Sequence, residues 1–395
     1  MPRLSPDQLA AIKLKKPLDQ IVGERLKLSK PSRKGIREGA CLCHPVKGKR
    51  PLWVNPAKST WGCMKNSACG GDTFTFLERF HGLDFVAGLA FLGGAEAVVD
   101  PELAAKYEAQ RAKDAAEHAA REAAEAEDDR RKAFENWQRG VPVAGTLVDL
   151  YFMHRGLEAV RSRALRFSAD EPYWFVPDEA GAPPQIIHRG PCMYAAIQGP
   201  DGRFIGLHRT WLDPRLGTSD MPAKASGKAE IFAPDGTPLV SKKMRGMKQG
   251  GAIRLHDFDP MQPEDRLCVF VGGEGIETVE TAYQSLIRYG RRDRAYYAWA
   301  AGDLGNLSGR GLGPSTKHPE RPDRLVPSDE PDPSAPGLMP PAWATRSILL
   351  GDGDSDPYVT GAQLRCAQKR WAAASVPTDI RMAPAGVDFN DMVRT

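Results

Sequence analysis

Short apolar runs that end in glycine and acidic residues organise the C-terminal third of the chain. Leu-Cys-Val-Phe-Val within Arg266–Gly273, and the segment Ser347–Leu350, each predict a buried strand, because such runs bounded by glycine are typical of strands covered on both faces. Helix and strand patterns alternate around them. They predict a helix at Thr278–Tyr289, a strand at Ala295–Ala300, a helix at Thr360–Ala374 and a strand at Thr378–Met382. This alternation predicts a parallel sheet covered by helices.

The N-terminal part of the chain is predicted to be more helical. Helices are expected near Leu18–Leu26 and at Thr73–Leu83. No glycine or proline occurs between Glu102 and Arg139, and ten acidic and seven basic residues are mixed along Glu102–Asn136, which favours a solvated helix. We interpret this helix either as a semi-rigid arm between domains or as a linker without a role of its own.

The region 141–260 shows a mixed pattern. Strands are predicted at Ile186–His188, Met193–Gln198 and Phe204–Leu212, with a turn at Pro200-Asp-Gly202 between the last two. Between the strands predicted at Ala295–Ala300 and Ser347–Leu350, the segment 305–342 is crowded with glycine and proline and is predicted to be a loop.

The composition fits a protein whose domains each have a hydrophobic core and whose cysteines are reduced. With 41% hydrophobic residues in 395, the chain is long enough for two or three cored domains. No run of eighteen apolar residues and no apolar N-terminal segment is present, which predicts neither a membrane span nor secretion. Seven cysteines, four of them in one cluster, favour thiols and metal over disulfides, so a cytoplasmic location is expected.

Positive charge is concentrated in two stretches. The net charge is only +4, but Met1–Thr60 carries 14 Lys and Arg against 4 Asp and Glu, and Asp201–Arg254 carries ten against five. Lys and Arg that replace phosphate counterions supply most non-specific affinity for nucleic acids. The two stretches therefore predict a polyanionic partner.

Cysteine and histidine residues cluster between positions 41 and 69. Tetrahedral Zn²⁺ needs four nitrogen or sulfur ligands, and two short-range pairs joined by a loop supply them in small zinc domains. The predicted ligands of one structural zinc ion are Cys41, His44, Cys63 and Cys69. Cys43 is a fifth candidate, which we leave out because its side chain and that of His44 would point apart along an extended segment.

Acidic residues follow two of the predicted buried strands. Glu274 follows one strand, and Asp352 and Asp354 follow another, at the strand ends where ligands of parallel sheets sit. Carboxylates are ligands suited to Mg²⁺ or Mn²⁺, and three of them crowded together without a cation would repel one another. The sequence thus predicts a catalytic Mg²⁺ or Mn²⁺ site, with two solvated acidic turns as the simpler alternative.

The motifs in this order resemble bacterial-type DNA primases, and most of all the primase-like proteins of phages, plasmids and other mobile elements. The segments Val271-Gly-Gly-Glu274-Gly-Ile-Glu277 and Leu349-Leu-Gly-Asp352-Gly-Asp354 are similar to the Toprim fold of primases, topoisomerases and some nucleases. Leu18–Val22, the cysteine cluster, Lys49–Trp53 and Phe76-Leu resemble the primase zinc-binding domain. Between them, similar stretches are Gly145-Thr, Tyr151, Arg155-Gly-Leu157, Leu165-Arg-Phe167, Leu207–Leu212 and Lys224-Ala.

The resemblance implies a multidomain α/β architecture. The expected order is an N-terminal zinc ribbon (1–95), a helical linker (96–140), a mixed α/β basic subdomain of the polymerase core (141–260) and a Toprim-type parallel sheet covered by helices (261–395). The last region carries a Pro-rich insertion (309–341) that is unusual for the family. The five residues between Cys63 and Cys69 also depart from the usual two, so an exchange of ligands with Cys43 stays open.

The resemblance also implies roles for individual residues. Glu274 is expected in proton transfer or metal binding, and Asp352 and Asp354 in metal binding, with Asp388 and Asp391 completing the site. The candidate contacts to template or nucleotide are the basic residues of the middle region, Arg209, Lys224, Lys242, Lys243, Arg245 and Lys248.

The implied function is a DNA primase that makes short RNA primers on single-stranded DNA from nucleoside triphosphates. No Gly-x₄-Gly-Lys-[Ser/Thr] phosphate loop is present, so unwinding is expected from a separate replicative helicase. Two alternatives remain: a Toprim-type metal-dependent nuclease with the same acids, and a non-catalytic, zinc-dependent protein that binds single-stranded DNA.

Overall fold

The computed structural model of the chain describes residues 6–32, 35–44, 50–64, 66–93, 101–177, 182–257 and 266–394. Parts of the basic stretch 1–60, including Lys49, lie outside these residues. The chain forms two compact units, Met1–Ala124 and Glu125–Thr395.

An antiparallel sheet with short helices forms the first unit. Its helices are α1 (Pro6–Lys15), α2 (Leu18–Gly23), α3 (Thr73–His81) and α4 (Phe85–Phe91), and its strands, in sheet order, are β1 (Arg37–Gly39), β2 (Leu52–Asn55), β3 (Thr60–Cys63) and β4 (Asn66–Asp72). Asp72 caps the N-terminus of α3, and its carboxylate accepts a hydrogen bond from the Thr75 backbone N–H at 3.0 Å. Phe76 of this helix is fully buried edge-on against Trp61, so it is a core residue.

Helix α5 (Pro101–Arg139) contributes residues to both units and is the helix that the composition predicts. Ion pairs along its length join residues three or four positions apart, including Arg130 with Glu127 and Lys132 with Asp128. Its C-terminal turns bury Ala133 and Trp137 in a core of the second unit. Among the residues that the structure describes, no helix has both the length and the apolar character needed to cross a membrane.

The second unit combines an antiparallel sheet with a mostly parallel one. Its helices are α6 (Leu147–His154), α7 (Ile276–Tyr289), α8 (Leu304–Ser308) and α9 (Pro357–Ala373), followed by a 3₁₀ turn (Asp391–Val393). Its strands are β5 (Leu165–Phe175), β6 (Gln185–Gln198), β7 (Phe204–Trp211), β8 (Ile231–Phe232), β9 (Pro238–Leu239), β10 (Lys242–Gly246), β11 (Ile253–His256), β12 (Leu267–Gly273), β13 (Arg294–Ala300), β14 (Thr316–Lys317), β15 (Leu325–Val326), β16 (Arg346–Gly351) and β17 (Thr378–Met382). The sheets have the orders β10-β7-β6-β5 and β11-β13-β12-β16-β17, with two small hairpins, β8-β9 and β14-β15.

The larger sheet is parallel except at one edge. Strand β12 runs parallel to β13 and to β16, β16 runs parallel to β17, and β11 pairs with β13 in the antiparallel sense. Val271 of β12 packs with Ile276 and Val279 of α7 in one core, while Phe270 packs with Trp371 of α9 in another. Adjacent residues of a strand face opposite sides, so both faces of the sheet are covered. The α/β class predicted from the sequence is confirmed.

The antiparallel sheet differs from the sequence prediction in β5, β6 and β10, of which β5 and β10 were not predicted. Strand β6 is continuous where the sequence predicts two shorter strands separated near Pro191. The sequence does not predict β5, because the polar run Ser168–Glu171 interrupts its apolar alternation. That run lies at a shift in the register between β5 and β6.

The Pro-rich insertion is predicted to be a loop, but it is an ordered structure anchored on α9. It follows α8 and contains the β14-β15 hairpin. The Arg370 guanidinium donates hydrogen bonds to the carbonyls of Ser308 at 3.1 Å, Asp332 at 3.1 Å and Ala335 at 3.0 Å, and the Trp371 indole donates to the Leu338 carbonyl at 2.6 Å. Buried side chains of α9 therefore replace the regular backbone pairing that a proline-rich segment cannot make.

Candidate functional site

Acidic residues lie at the carboxyl ends of the parallel strands. Glu274 follows β12, Asp303 follows β13, and Asp352 and Asp354 follow β16. The chain is tied across this edge by the Gly302 N–H, which donates to the Glu274 carbonyl at 2.9 Å. The edge is therefore assembled by strand direction, in the position where ligands of parallel sheets bind.

The carboxylates at this edge influence one another. Burial raises the pKa of Glu274, and the charges of Asp352 and Asp303 raise it further. Burial also raises the pKa of Asp352, with contributions from Asp388 and Asp354, although two hydrogen bonds oppose the shift. Both shifts mean that the ionised carboxylates are disfavoured at this edge unless a cation compensates for them.

The C-terminal segment completes the edge by binding the turn after β16. The Gly353 N–H donates to the Val387 carbonyl at 2.9 Å, and the Gly386 N–H donates to the Gly353 carbonyl at 2.7 Å. The Asp352 carboxylate accepts hydrogen bonds from the Phe389 N–H at 3.2 Å and from the Thr278 hydroxyl at 3.1 Å. Asp352 is thus fixed from two sides.

The two remaining predicted acids occupy different positions in this segment. The Asp388 carboxylate lies 3.5 Å from the Arg155 guanidinium and accepts the Asp391 N–H at 2.6 Å. Its charge acts on Asp352, so it lies at the edge. Asp391 is exposed, 3.9 Å from the Arg394 guanidinium.

The carboxylate oxygens at this edge are the type of ligand that a hard divalent cation binds. Carboxylate oxygens are the ligands that Mg²⁺ and Mn²⁺ prefer, and Asp354 is exposed beside the half-buried Asp352. Within the described part of the chain, no three carboxylates of the edge bring their oxygens within 4.8 Å of one another. Mutual repulsion is a sufficient physical reason for this spacing.

Asp303 is a member of this edge that the sequence analysis missed. Its carboxylate caps α8 by accepting the Asn306 N–H at 2.8 Å and is paired with the Lys248 ammonium group. It follows the strand predicted at Ala295–Ala300 by three residues, so its position after a parallel strand was the signal that could have found it.

A second missed feature is the buried ion cluster around Glu277. The residue Glu277 is 5% exposed, and its carboxylate lies 3.1 Å from the Lys228 ammonium and 3.3 Å from that of Lys242. It also accepts a hydrogen bond from the Tyr151 hydroxyl. The two lysines hold the pKa of Glu277 well below its usual value despite burial. The charge of Lys242 also lowers the pKa of Glu274, which links this cluster to the acidic edge.

The predicted basic residues of β10 divide between two faces, because successive strand residues point in opposite directions. Lys242 pairs with Glu277 on the side of the acidic edge. Lys243 lies over the Tyr173 ring, 3.8 Å from its centroid, and Arg245 lies 4.0 Å from Asp129.

The other predicted basic residues have distinct surroundings. Lys248 lies at the acidic edge through its pair with Asp303. Arg209 is buried in an ion pair with Glu171 at 2.8 Å, whereas Lys224 is exposed. The structure thus brings Lys242 and Lys248 towards the acids and does not bring the predicted basic residues together as one group.

Asp356, two residues after Asp354, has a structural role. Its carboxylate caps α9 by accepting the N–H groups of Tyr358 and Val359, both at 3.1 Å. It also pairs with His318 at 3.0 Å and with Arg324 at 3.1 Å, both in the insertion. These partners account for the charge of Asp356, so it is not counted with the acidic edge.

Three of the four predicted zinc ligands lie together in the first unit. The Cys41 sulfur is 3.7 Å from His44 Nδ1 and 3.9 Å from the Cys69 sulfur, and the three ligand atoms all lie within 4.8 Å of one another. Tetrahedral Zn²⁺, with bonds of about 2.3 Å to sulfur and about 2.1 Å to nitrogen, would separate two sulfurs by about 3.8 Å and sulfur from nitrogen by about 3.6 Å. The cluster could bind a metal ion such as zinc.

The fourth ligand has two candidates. Cys63 is buried in β3 but is not one of the three clustered ligand residues. Cys43 is exposed. Burial raises the pKa of Cys69 to about 12, with further contributions from the Cys41 thiol and then the Cys43 thiol. A bound cation would favour the thiolates that this crowding disfavours. The structure thus keeps open the ligand exchange that the sequence spacing suggests.

Comparisons with known proteins reach only part of the chain. A family model described as a domain of unknown function (DUF7146) matches residues 127–255, which is less than half of the chain and ends before the acidic edge. A search of curated proteins finds no match. Among solved structures, the chain is similar to a DNA primase domain from Pseudomonas aeruginosa, with 17% identity and a TM-score of 0.30 over 64% of this chain and 68% of that one. With so low a TM-score, function has to be argued from the residues themselves.

Proposed function

We propose that this protein is a DNA primase, which binds a single-stranded template and joins nucleoside triphosphates into a short RNA primer. The observation that carries the proposal is the acidic edge of the parallel sheet, where Glu274, Asp352 and Asp354 stand with Asp303 and Asp388. A group of carboxylates with raised pKa values suits a site that takes up divalent cations.

In the proposed reaction the 3′-hydroxyl of one nucleotide attacks the α-phosphate of the next, and pyrophosphate leaves. Asp352 and Asp354 would hold Mg²⁺ or Mn²⁺, which when bound neutralises charge on the attacking and leaving oxygens. Glu274 would accept the proton of the 3′-hydroxyl, since its raised pKa brings it nearer to the operating pH. Lys248 lies beside Asp303 at this edge and is the candidate contact for the triphosphate.

The cysteine–histidine cluster supports the same proposal from the first unit. A structural zinc site in a basic domain is suited to contact the template, with α5 as the connection to the catalytic unit. A separate replicative helicase would unwind the duplex, and the cytoplasm would be the compartment.

The test is a synthesis assay with the full chain, single-stranded DNA, labelled ribonucleoside triphosphates and Mg²⁺ or Mn²⁺. The parent should make short oligoribonucleotides. Asp354→Asn keeps the side-chain shape and removes one charge, so synthesis should fall roughly a hundredfold or more. Glu274→Gln should also abolish synthesis while binding to single-stranded DNA survives.

A matched control is Asp323→Asn, which makes the same change at an exposed aspartate of the insertion and should leave synthesis unchanged. Shortened DNA in place of new RNA would identify the nuclease alternative. Binding of DNA with neither product would identify the accessory protein. An Asp354→Asn protein that synthesises primers at the parental rate would refute the proposed role of the acidic edge.

A further inference from the structure

A cavity of about 780 Å³ lies in the second unit, away from the acidic edge. Its lining includes Tyr297 and Tyr296, which lie three and four residues, respectively, before β13 ends at Ala300. At about 3.3 Å per residue this places them about 10–13 Å back along the strand, towards the other end of the sheet. The volume is within the range of about 300–1,000 Å³ that small-molecule sites occupy.

Positive charge predominates among the charged residues that line this cavity. Arg161, Arg163 and Arg254 contribute three guanidinium groups, and His256 contributes an imidazole, against the carboxylate of Asp257. Arg161 is held by Asp149, with contacts of 2.5 and 3.1 Å. Arg254 is paired with Asp257 at 3.4 Å, so the excess of positive charge that suits an anionic ligand comes from Arg163.

Hydrogen-bonding capacity remains unused at those two arginines. Across the described ranges of the chain, the exposed Arg163 has no hydrogen-bond or ion-pair partner. The Arg254 guanidinium is fixed over the Trp299 ring at 4.3 Å and donates to the Gly199 carbonyl at 2.8 Å, yet its buried Nε has no acceptor. Buried donors normally have a partner, and an acceptor such as a phosphate oxygen would satisfy this Nε.

Aromatic side chains supply the second half of the site. Phe134 is 37% exposed and packs against Phe204, with ring centroids 5.2 Å apart. Tyr283 stacks on the His256 ring at 3.5 Å, and Glu280 holds that ring through a 2.8 Å contact to Nε2. Aromatic faces beside guanidinium groups that still have unused donors suit a ligand that has a planar base and a phosphate.

We propose that this cavity binds a nucleotide, with its phosphates beside Arg163 and Arg254 and its base against the aromatic wall that includes Phe134 and Phe204. The site is separate from the acidic edge and needs no divalent cation, because guanidinium groups supply the positive charge. The proposal goes beyond primer synthesis and holds whether or not the acidic edge is catalytic.

The test is isothermal titration calorimetry of the full chain with ATP in EDTA, which removes the metal that the acidic edge would need. The parent should bind ATP, and Arg163→Glu should weaken binding at least tenfold, because it replaces an attractive charge by a repulsive one. Arg163 has no structural partner, so this variant should fold normally. Arg292→Glu, the same change at an exposed arginine outside the cavity, should bind like the parent.

Further titrations separate this site from the alternatives. Asp354→Asn should bind ATP in EDTA as tightly as the parent, and both adenosine and tripolyphosphate should bind more weakly than ATP. Unchanged binding by Arg163→Glu, or loss of binding in Asp354→Asn, would overturn the proposal. Tripolyphosphate that binds as tightly as ATP would show an anion site without base recognition. A single-stranded oligonucleotide could also displace ATP and lose as much affinity as ATP does in Arg163→Glu. That result would show that the cavity binds polymer.

Discussion

Replacing Glu277 by glutamine tests the buried ion cluster that Glu277 forms with Lys228 and Lys242. At the observed separations of 3.1 and 3.3 Å, and with an effective dielectric constant of about 20, each lysine attracts Glu277 by about 5 kcal/mol before desolvation is subtracted. Removing one partner of a buried ion pair costs about 3–5 kcal/mol, because the other charges stay buried. Lys228 and Lys242 keep side-chain exposures of 20% and 36%, so water compensates in part and we expect about 3 kcal/mol.

The assay is urea unfolding of the full chain, read by hydrogen exchange of peptides from Ile276–Tyr289, so that the signal reports the second unit. Glu158→Gln makes the same chemical change at an exposed site and should alter the free energy of unfolding by no more than about 0.5 kcal/mol. Glutamine at position 277 still offers an oxygen to the Tyr151 hydroxyl, so the loss should come from the charge alone.

A double-mutant cycle separates this charge effect from packing. Lys228→Met together with Glu277→Gln should be less destabilised than the sum of the two single variants, by about 1 kcal/mol or more. The effect of pH on stability has a defined direction, because the pKa of Glu277 is lowered in the folded protein. The contribution of Glu277 to the free energy of unfolding is therefore complete above the usual pKa of 4.5 and is lost as the pH falls through the lower, folded pKa. Additive variants, or a Glu277→Gln protein as stable as the parent at pH 7, would refute the ion-cluster account.

Three further predictions concern the other sites. In metal-free buffer at pH 7.5, Glu274→Gln should raise the thermal midpoint. The reason is that the pKa of Glu274 is raised in the folded protein, so the contribution of Glu274 to stability is lost as the pH rises through that folded pKa. Scanning fluorimetry that shows a lower midpoint would contradict this prediction. Purified protein should carry about one Zn²⁺ per chain by elemental analysis, lost in Cys63→Ser and retained in Cys43→Ser, and the reverse pattern would make Cys43 the fourth ligand. Asp356→Asn should leave primer synthesis near the parental rate, because Asp356 caps α9 and pairs with His318; a loss comparable to that of Asp354→Asn would place it in the site.

The elements of the parallel sheet could be predicted because their signals are local. Strand β17 has the predicted bounds, Thr378–Met382, and α5 follows from the absence of glycine and proline over its length. The acids after β12 and β16 could be placed at one edge because strand direction alone brings them there. Short-range patterns were sufficient for these features.

The remaining features depend on contacts between distant parts of the chain. Glu277 meets Tyr151 across 126 positions, and Arg370 reaches the Ser308 carbonyl across 62, so no pattern in a short window reports either contact. Strand β10 was not predicted, and without it the alternation that separates Lys242 from Lys243 could not be assigned. The order of the Pro-rich insertion escaped prediction for the same reason, since its hydrogen-bond partners lie on α9.

The contact of Gly386–Phe389 with the turn after β16 has a consequence for biosynthesis. A ribosome makes Glu274 more than a hundred residues before it makes Phe389, whose backbone N–H holds Asp352. A nascent or prematurely terminated chain that stops before Gly386 can contain every strand of the parallel sheet, but its Asp352 turn lacks the hydrogen bonds to the closing segment. The order of translation thus delays a finished acidic edge until Gly386–Phe389 has been made and has left the ribosome.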